Sequence, residues 1–346
     1  MLIKERNKRY VNSFKQILLI FILSIFLLLS PALRVEAARS FTDMMGREIT
    51  VPEKIERVVT TYKSATQFVL ALNAGDKLVG VSVKTDKQPL FVNLRPELAE
   101  LPQVGSKRNG INLETTLSAD PDLVILYPHR DAVKTAEKLE EQGVTALIIN
   151  PESLEQIRET TELLGKVLNK EKGAAEVLAA YNRIDNLTEK TAAFPKAEKR
   201  KIYFANSEFT DSVGAEMMQT ALIENAGGTN PAAELKSGFI TVSAENILEW
   251  NPELVIVSQF FSGDLEKLAQ ENKYQNLSAF KNKALYRVPS RLEPWDFPSP
   301  STFIAQLWLA QKAYPAEYED LDYQKEVNQF YQTLYGKTFE ELGGEF

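Results

Sequence analysis

The sequence predicts an α/β protein: two mainly parallel-sheet lobes, joined by a single long interdomain helix, with a ligand cleft between the lobes. Three observations carry that expectation. The segment NLETTLSADPDLVILY (112–127) returns as SAENILEWNPELVIVS (243–258), so that Glu114 aligns with Glu245, Pro121 with Pro252, and Leu123-Val124-Ile125 with Leu254-Val255-Ile256. An offset of 131 positions is too long for a solenoid repeat and has the length of a domain. Around these segments, short β-branched runs alternate with helical stretches, the pattern of parallel α/β units. Between the two halves, residues 152–194 hold no strand signal at all.

Taken in order, the chain opens with a basic region (Lys4, Arg6, Lys8, Arg9, Lys15) and the apolar run ILLIFILSIFLLL at 17–29. Pro31 and the small-residue pattern Val35-Glu36-Ala37 follow, the layout of a secretory signal with cleavage expected after Ala37. An uncleaved membrane anchor is the rival reading, but a spanning helix needs roughly 20 apolar residues. Without residues 1–37 the chain carries 34 basic and 45 acidic residues, a net charge of −11. That acidity gives no reason to expect nucleic acid as a partner.

FTDMMGREITV (41–51) alternates around a glycine turn and predicts a β-hairpin. RVVTT (57–61), LVGVS (78–82), LVILY (123–127) and ALIIN (146–150) are apolar without alternation, as strands buried on both faces are. SATQFVLALNAG (64–75) and DAVKTAEKLEEQG (131–143) supply helices between them. A helical piece of some 23 residues ending at Phe194 would span about 34 Å. The strand pattern resumes with KIYFA (201–205), LVIVS (254–258) and ALYRV (284–288), and helices close the chain. The expected division is a leader at 1–37, a first lobe at 38–170, a linking helix at 171–196 and a second lobe at 197–346.

Chemistry narrows the function further. There is no cysteine, which excludes disulfides, thiolate metal sites, a cysteine nucleophile and a lipid-modified N-terminal cysteine. One histidine, His129, and no Gly-x-Ser-x-Gly elbow leave an exported hydrolase without its parts, and one imidazole does not make a transition-metal site. Gly336-Lys337-Thr338 resembles the end of a P-loop, but the required earlier glycine is Tyr331 and the lead-in is helical.

Ligands of open α/β sheets bind beyond the carboxyl ends of the strands. Those loops hold Tyr62 and Lys63 after the first strand, Arg108, and Tyr127 and Arg130 around the end of LVILY. In the second half they hold Phe209, Phe260, Arg291, Trp295 and Phe297. A basic, aromatic-lined cleft in an acidic protein suits a bulky anionic metal chelate, with arginine forks meeting its oxygens and rings covering its organic shell. A corrinoid would instead favour an uncharged aromatic clamp, and a small oxyanion would favour backbone N–H and hydroxyl donors at helix starts.

The order of FTDMMGREITVPEKIERVV, LALNAGDKLVGVS, the two E-x-x-L-x-x-x-P-[DE]-L-V-I segments, AGGTNPAAE (226–234) and PWDFPSPSTFIAQLWLAQKAYP carries a family likeness over residues 41–336. It resembles the periplasmic substrate-binding proteins of iron-siderophore, haem and vitamin B12 ABC importers. The resemblance implies an exported, monomeric, non-enzymatic protein with no cofactor of its own, which captures a small-molecule metal chelate, expected to be a ferric siderophore. A corrinoid, haem or a molybdate-type oxyanion are the alternatives. It further implies docking on a permease dimer with its ATPase, with Glu114 and Glu245 pairing with permease arginines; membrane contact would come only through that permease or an uncleaved N-terminus. A plain alternative for both glutamates is the helix dipole, since Asn112 and Ser243 are plausible N-caps.

Overall fold

The computed structural model describes residues 38–106, 110–129, 131–235 and 238–346. The expected leader, Arg108 and Arg130 lie outside the described residues. Residues 38–346 form one compact unit.

The first lobe begins with an antiparallel hairpin, β1 (Ala38–Thr42) and β2 (Glu48–Pro52). β3 (Val58–Thr60) leads into helix α1 (Lys63–Ala71), and β4 (Leu78–Gly80) into the short α2 (Pro89–Leu94). A small β5 (Gly105–Ser106) and β6 (Gly110–Ile111) pair precedes α3 (Leu113–Ser118), β7 (Leu123–Leu126), α4 (Ala132–Glu140) and β8 (Thr145–Ile148). The parallel sheet runs β4-β3-β7-β8. Helix α5 (Leu154–Val167) and the 22-residue α6 (Glu171–Ala192) follow.

The second lobe repeats the plan. β9 (Arg200–Ala205), β10 (Asp211–Val213), α7 (Met218–Asn225), β11 (Gly228–Thr229) and β12 (Phe239–Thr241) come first. Then α8 (Ala244–Trp250), β13 (Leu254–Val257), the short α9 (Leu265–Gln270) and α10 (Ser278–Lys281), and β14 (Leu285–Arg287) complete a parallel sheet ordered β11-β9-β13-β14. β7 and β13 therefore hold the same place in their sheets, and both are buried along their whole length. α11 (Phe303–Ala313) and α12 (Tyr323–Tyr335) end the chain.

The repeated sequence is a repeated piece of structure: a short helix, a tight turn and a central strand. The turn residues Asp120 and Asn251 both sit in the left-handed region (φ 49° and 42°), which Asp and Asn tolerate. Two residues on, Asp122 accepts backbone N–H bonds from Glu56 and Arg57, while Glu253 accepts one from Lys201. The acid at that position thus pins each central strand to its neighbour.

A single buried cluster runs through both sheets, from Leu123 and Ile125 to Ile202, Leu254 and Ile256, by way of α6, α11 and α12. α12 packs against α1 as well as α6, and Arg183 of α6 holds Glu326 of α12 through two bonds of 2.7 and 2.6 Å. The chain end also returns to the first lobe, where Asn93 donates to the Leu342 carbonyl. Shared apolar burial of this kind resists the lobes opening as rigid bodies, because parting them would expose it.

Two short segments are defined by the structure. AGGTN holds a two-residue edge strand, β11, preceded by Gly227, which has φ +89° and where a Cβ would sit 2.4 Å from the Thr191 carbonyl oxygen. Gly336 closes α12 as a left-handed cap, so Gly-Lys-Thr is a helix end.

Candidate functional site

A cavity of about 350 Å³ opens where the carboxyl ends of the two sheets face each other. Its first wall is Tyr62, Tyr127 and Glu152, from the segments after β3, β7 and β8. Its second wall is Asn206 after β9, Met217, Met218 and Gln219 at the start of α7, Phe239, and Ser258 and Phe260 after β13. Asp296, Phe297 and Pro298, from the loop between β14 and α11, form the floor.

That loop is tied to both lobes. Ser64 of α1 donates to the Pro298 carbonyl (2.5 Å), and Gln67 of α1 donates to Glu293. From the other side, Gln219 of α7 donates to the Asp296 carbonyl (2.9 Å) and Ser258 to the Asp296 carboxylate (2.5 Å). The floor is thereby fixed by side chains from each half.

Rings and charge organise the first wall. Tyr62 and Tyr127 lie with centroids 4.4 Å apart, Tyr62 and Phe297 5.9 Å apart, and Tyr127 donates to Glu152 at 2.5 Å. Burial, with the Glu152 charge beside it, pushes the Tyr62 phenol up to about 12 and Tyr127 higher still, so both stay protonated. The Lys63 ammonium sits 4.7 Å from the Phe297 ring centroid and 5.8 Å from that of Phe260, bridging the walls by cation–π contact. Burial draws its pKa down against the pull of Asp296 and Glu293.

Two helices begin at the cavity, one from each lobe. α1 starts at Lys63 with Tyr62 as N-cap, and α7 starts at Met218 with Met217 as N-cap; neither N-cap side chain accepts a bond from its helix. The first-turn N–H groups and the positive dipole ends of α1 and α7 thus approach the cleft from opposite sides.

Of the residues the sequence singled out, Tyr62, Tyr127, Phe260 and Phe297 line the cavity and Lys63 packs on its rings. Trp295 does not reach it: the indole is 1% exposed, donates to the Tyr331 hydroxyl at 2.8 Å and packs on Phe339. Phe209 is buried in the second lobe against Tyr203 and Tyr274. Arg291 is exposed and does not line the cavity. Glu152, Met217, Gln219, Asp296 and the nearby Arg287 were not anticipated. The sequence signal available for Met217 and Gln219 was the start of a helix after the first strand of the second half, the position that gave Tyr62 and Lys63 in the first.

Glu114 and Glu245 are both exposed, in the first turns of α3 and α8. Asn112 caps Thr115 N–H at 3.0 Å, and Ser243 forms a capping box with Asn246. Hydrogen bonds from its own backbone N–H and from Ser243 hold the Glu245 carboxyl below its ordinary range. Both glutamates are exposed, and the Glu245 carboxyl also takes part in capping the first turn of its own helix.

Among the described residues there is no group of three or more His, Cys, Asp or Glu side chains placed to hold a metal ion.

Residues 58–292 match the periplasmic binding protein family. The molybdate-binding protein MolA of Haemophilus influenzae is 27% identical over 88% of this chain and 92% of its own length. A vitamin B12-binding protein of Vibrio parahaemolyticus is 28% identical over 69% of this chain and 82% of its own. The crystal structure of MolA bound to molybdate superposes with a TM-score of 0.75 at 25% identity, covering 87% of this chain and 98% of that one. A periplasmic solute-binding protein from Veillonella parvula gives 0.78 at 25% identity, over 89% and 96%.

Proposed function

The chain belongs to the periplasmic binding protein family, the substrate-binding proteins of ABC importers, and from that premise we propose that its ligand is a small oxyanion of the molybdate class. One observation carries the choice of ligand: the uncapped starts of α1 and α7 meet the cleft from opposite lobes, with the Lys63 ammonium beside them. Helix starts offer backbone N–H donors and positive potential, which suit a compact anion. The cavity volume, about 350 Å³, is near the lower end of the usual range of about 300–1,000 Å³ for ligand sites. Similarity to a molybdate-binding protein along most of both chains points the same way. The ferric chelate expected from the sequence rested on strand-end aromatic and basic residues, of which the rings of Tyr62, Tyr127, Phe260 and Phe297 line the cavity and Lys63 packs on them; the arginines were to meet the oxygens of the chelate. Of these Arg291 stands outside the cleft, while Arg108 and Arg130 lie outside the described residues.

A second reading has its own support. Phe239 and Phe260 are 66% and 50% exposed at the cleft, an apolar lip that a compact oxyanion does not need and an organic chelate or corrinoid would cover. In either case the protein acts outside the cytoplasmic membrane, monomeric, and passes its ligand to a permease dimer driven by an ATPase. Glu114 and Glu245, matched by sequence and by place in their lobes, are our proposed docking residues. Residues 1–37 are our proposed export signal.

The test is calorimetry of the exported protein against molybdate, tungstate, sulfate, a ferric siderophore panel, haem and cobalamin. Saturable binding of molybdate or tungstate is expected. Heat from a ferric chelate or a corrinoid and none from any oxyanion would replace the first reading with the second. Import assays of Glu114→Ala plus Glu245→Ala are expected to show lost uptake with unchanged ligand affinity, and normal uptake would remove the docking assignment.

A further inference from the structure

The mouth of the cleft carries more bare apolar surface than a compact anion covers. Among the described residues, eight large apolar side chains are exposed, and four of them, Leu235, Phe239, Leu248 and Phe260, fall between residues 235 and 260. Phe239 and Phe260 line the cavity and are still 66% and 50% exposed, which places both rings at its rim. An oxyanion seated between the starts of α1 and α7 lies inside that rim and leaves the outer faces of the rings in water. Exposed rings clustered in this way mark a surface that something else covers.

Local structure holds the surface open. β12 pairs with β10, with Phe239 opposite Val213. Alternation along β12 packs Ile240 against the core of the second lobe and turns Phe239 and Thr241 outward. The strand then runs through the buried Val242 into the capping box of α8, so a short, fixed path links the Phe239 ring to Glu245. Leu248 is 39% exposed and stands one helical turn after Glu245, on the same face of α8. The feature is one-sided: Leu117, which aligns with Leu248, packs against the core of the first lobe.

We propose that Phe239, Phe260 and Leu248, grouped around Glu245, form an apolar docking surface that the permease covers when the cleft is presented to it. This rests on the docking reading above and adds to its two carboxylates an apolar contact on the second lobe alone. The occupant follows from the direction of transfer. Cargo leaves through the mouth it entered, so the rings that frame that mouth meet the extracytoplasmic opening of the permease. Exposed ion pairs hold weakly, and less so as salt rises, whereas aromatic anchors carry much of the energy of protein interfaces. The surface that fits here is apolar opposite the rings and Leu248 and basic opposite Glu245. Phe260 is also tied to the Lys63 ammonium and to Phe297, so Phe239 and Leu248 are the cleaner probes.

The experiment is photo-crosslinking of the full chain in cells that export it, with Phe239→p-benzoylphenylalanine as the probe and mass spectrometry of the adduct. The expected adduct is with the membrane-embedded subunit of an ABC importer. The control is the same photoreactive residue at Phe346, an exposed ring packed on Phe339 behind the cleft floor, which should give little of it. Leu248→Ser should lower the yield from position 239 by about threefold or more, with an unchanged melting temperature. No adduct, an adduct with lipid or with a second copy of this chain, or an equal yield from position 346 overturns the proposal. So does a yield that Leu248→Ser leaves intact. The readout is independent of the cargo, so it stands whichever ligand binds. An adduct that survives Glu114→Ala plus Glu245→Ala supports the apolar surface and removes the docking glutamates alone.

Discussion

The two walls of the cleft are built from the same fold unit and made of different chemistry. The first lobe contributes Tyr62, Lys63, Tyr127 and Glu152, all with ionisable groups, three of them drawn together by rings and hydrogen bonds. The second contributes Asn206, Met217, Met218, Gln219, Ser258 and two phenylalanines, with no formal charge. Both walls start from a strand of the same rank leading to a helix whose start is left uncapped. The repeated unit thus presents backbone donors on both sides while the side chains differ. Between the two walls, charge rests with the first lobe and shape with the second, while the floor adds the Asp296 carboxylate.

The comparison has its deepest support beneath the first wall, where Glu293 is buried behind Lys63. Its burial raises the carboxyl to about 7 from the ordinary 4.5, the bonds from Tyr331, Ser301 and Gln67 notwithstanding. Folded protein therefore keeps a proton that unfolded protein has lost, between about pH 4.5 and about pH 7, and the folded state binds more protons there. Stability is then fully present below about pH 4.5 and falls as pH rises to about 7, by an amount on the order of 3 kcal/mol. Glu293→Gln should remove this loss, melting well above wild type at alkaline pH and close to it at acid pH. Parallel melting curves for the two proteins across that range would show that Glu293 ionises without strain and that the floor is more solvated than its burial implies.

A smaller effect tests the division of labour directly. Lys63→Gln keeps much of the stem that packs on Phe297 and removes the charge. On the oxyanion reading that ammonium gives the anion a charged hydrogen bond, and losing it should cost about 2 kcal/mol, or roughly thirtyfold in molybdate affinity. Equal losses from Lys63→Gln and from any second-wall substitution would end the claim that charge is read by one lobe.

How much of this was open to the sequence follows from range of interaction. The seven central strand runs and the long helix were legible to within about two residues, because burial on both faces writes an unbroken apolar run and a 22-residue helix outlasts local accidents. The strand β11 was not, since two residues carry no period and the edge exists only by pairing with β9. The packing of α12 onto α1 joins residues far apart in sequence, and nothing local announces it. Within the site, strand ends located Tyr62, Tyr127 and Phe260. The same rule offered Trp295 and Phe209, for an aromatic in a loop has one composition whether it faces a ligand or the core. Asp296 lay outside that reading, because the strand-end loops were searched for rings and cations and a carboxylate is neither.

The smallest expected effect decides between the two readings of the second wall. Phe260 is half exposed, with its ring 6.0 Å from Phe297 and 5.8 Å from the Lys63 ammonium. A compact oxyanion held by α1 and α7 makes little use of that ring, so Phe260→Ala should cost under about 1 kcal/mol of molybdate affinity, through the weakened cation–π support of Lys63 alone. An organic ligand would lay apolar surface on the phenyl group and lose its burial, about 1.5–3 kcal/mol and more than tenfold in affinity. Calorimetry of this one variant therefore sorts ligands by how they use the uncharged lobe: as a wall that bounds the anion, or as a surface that binds.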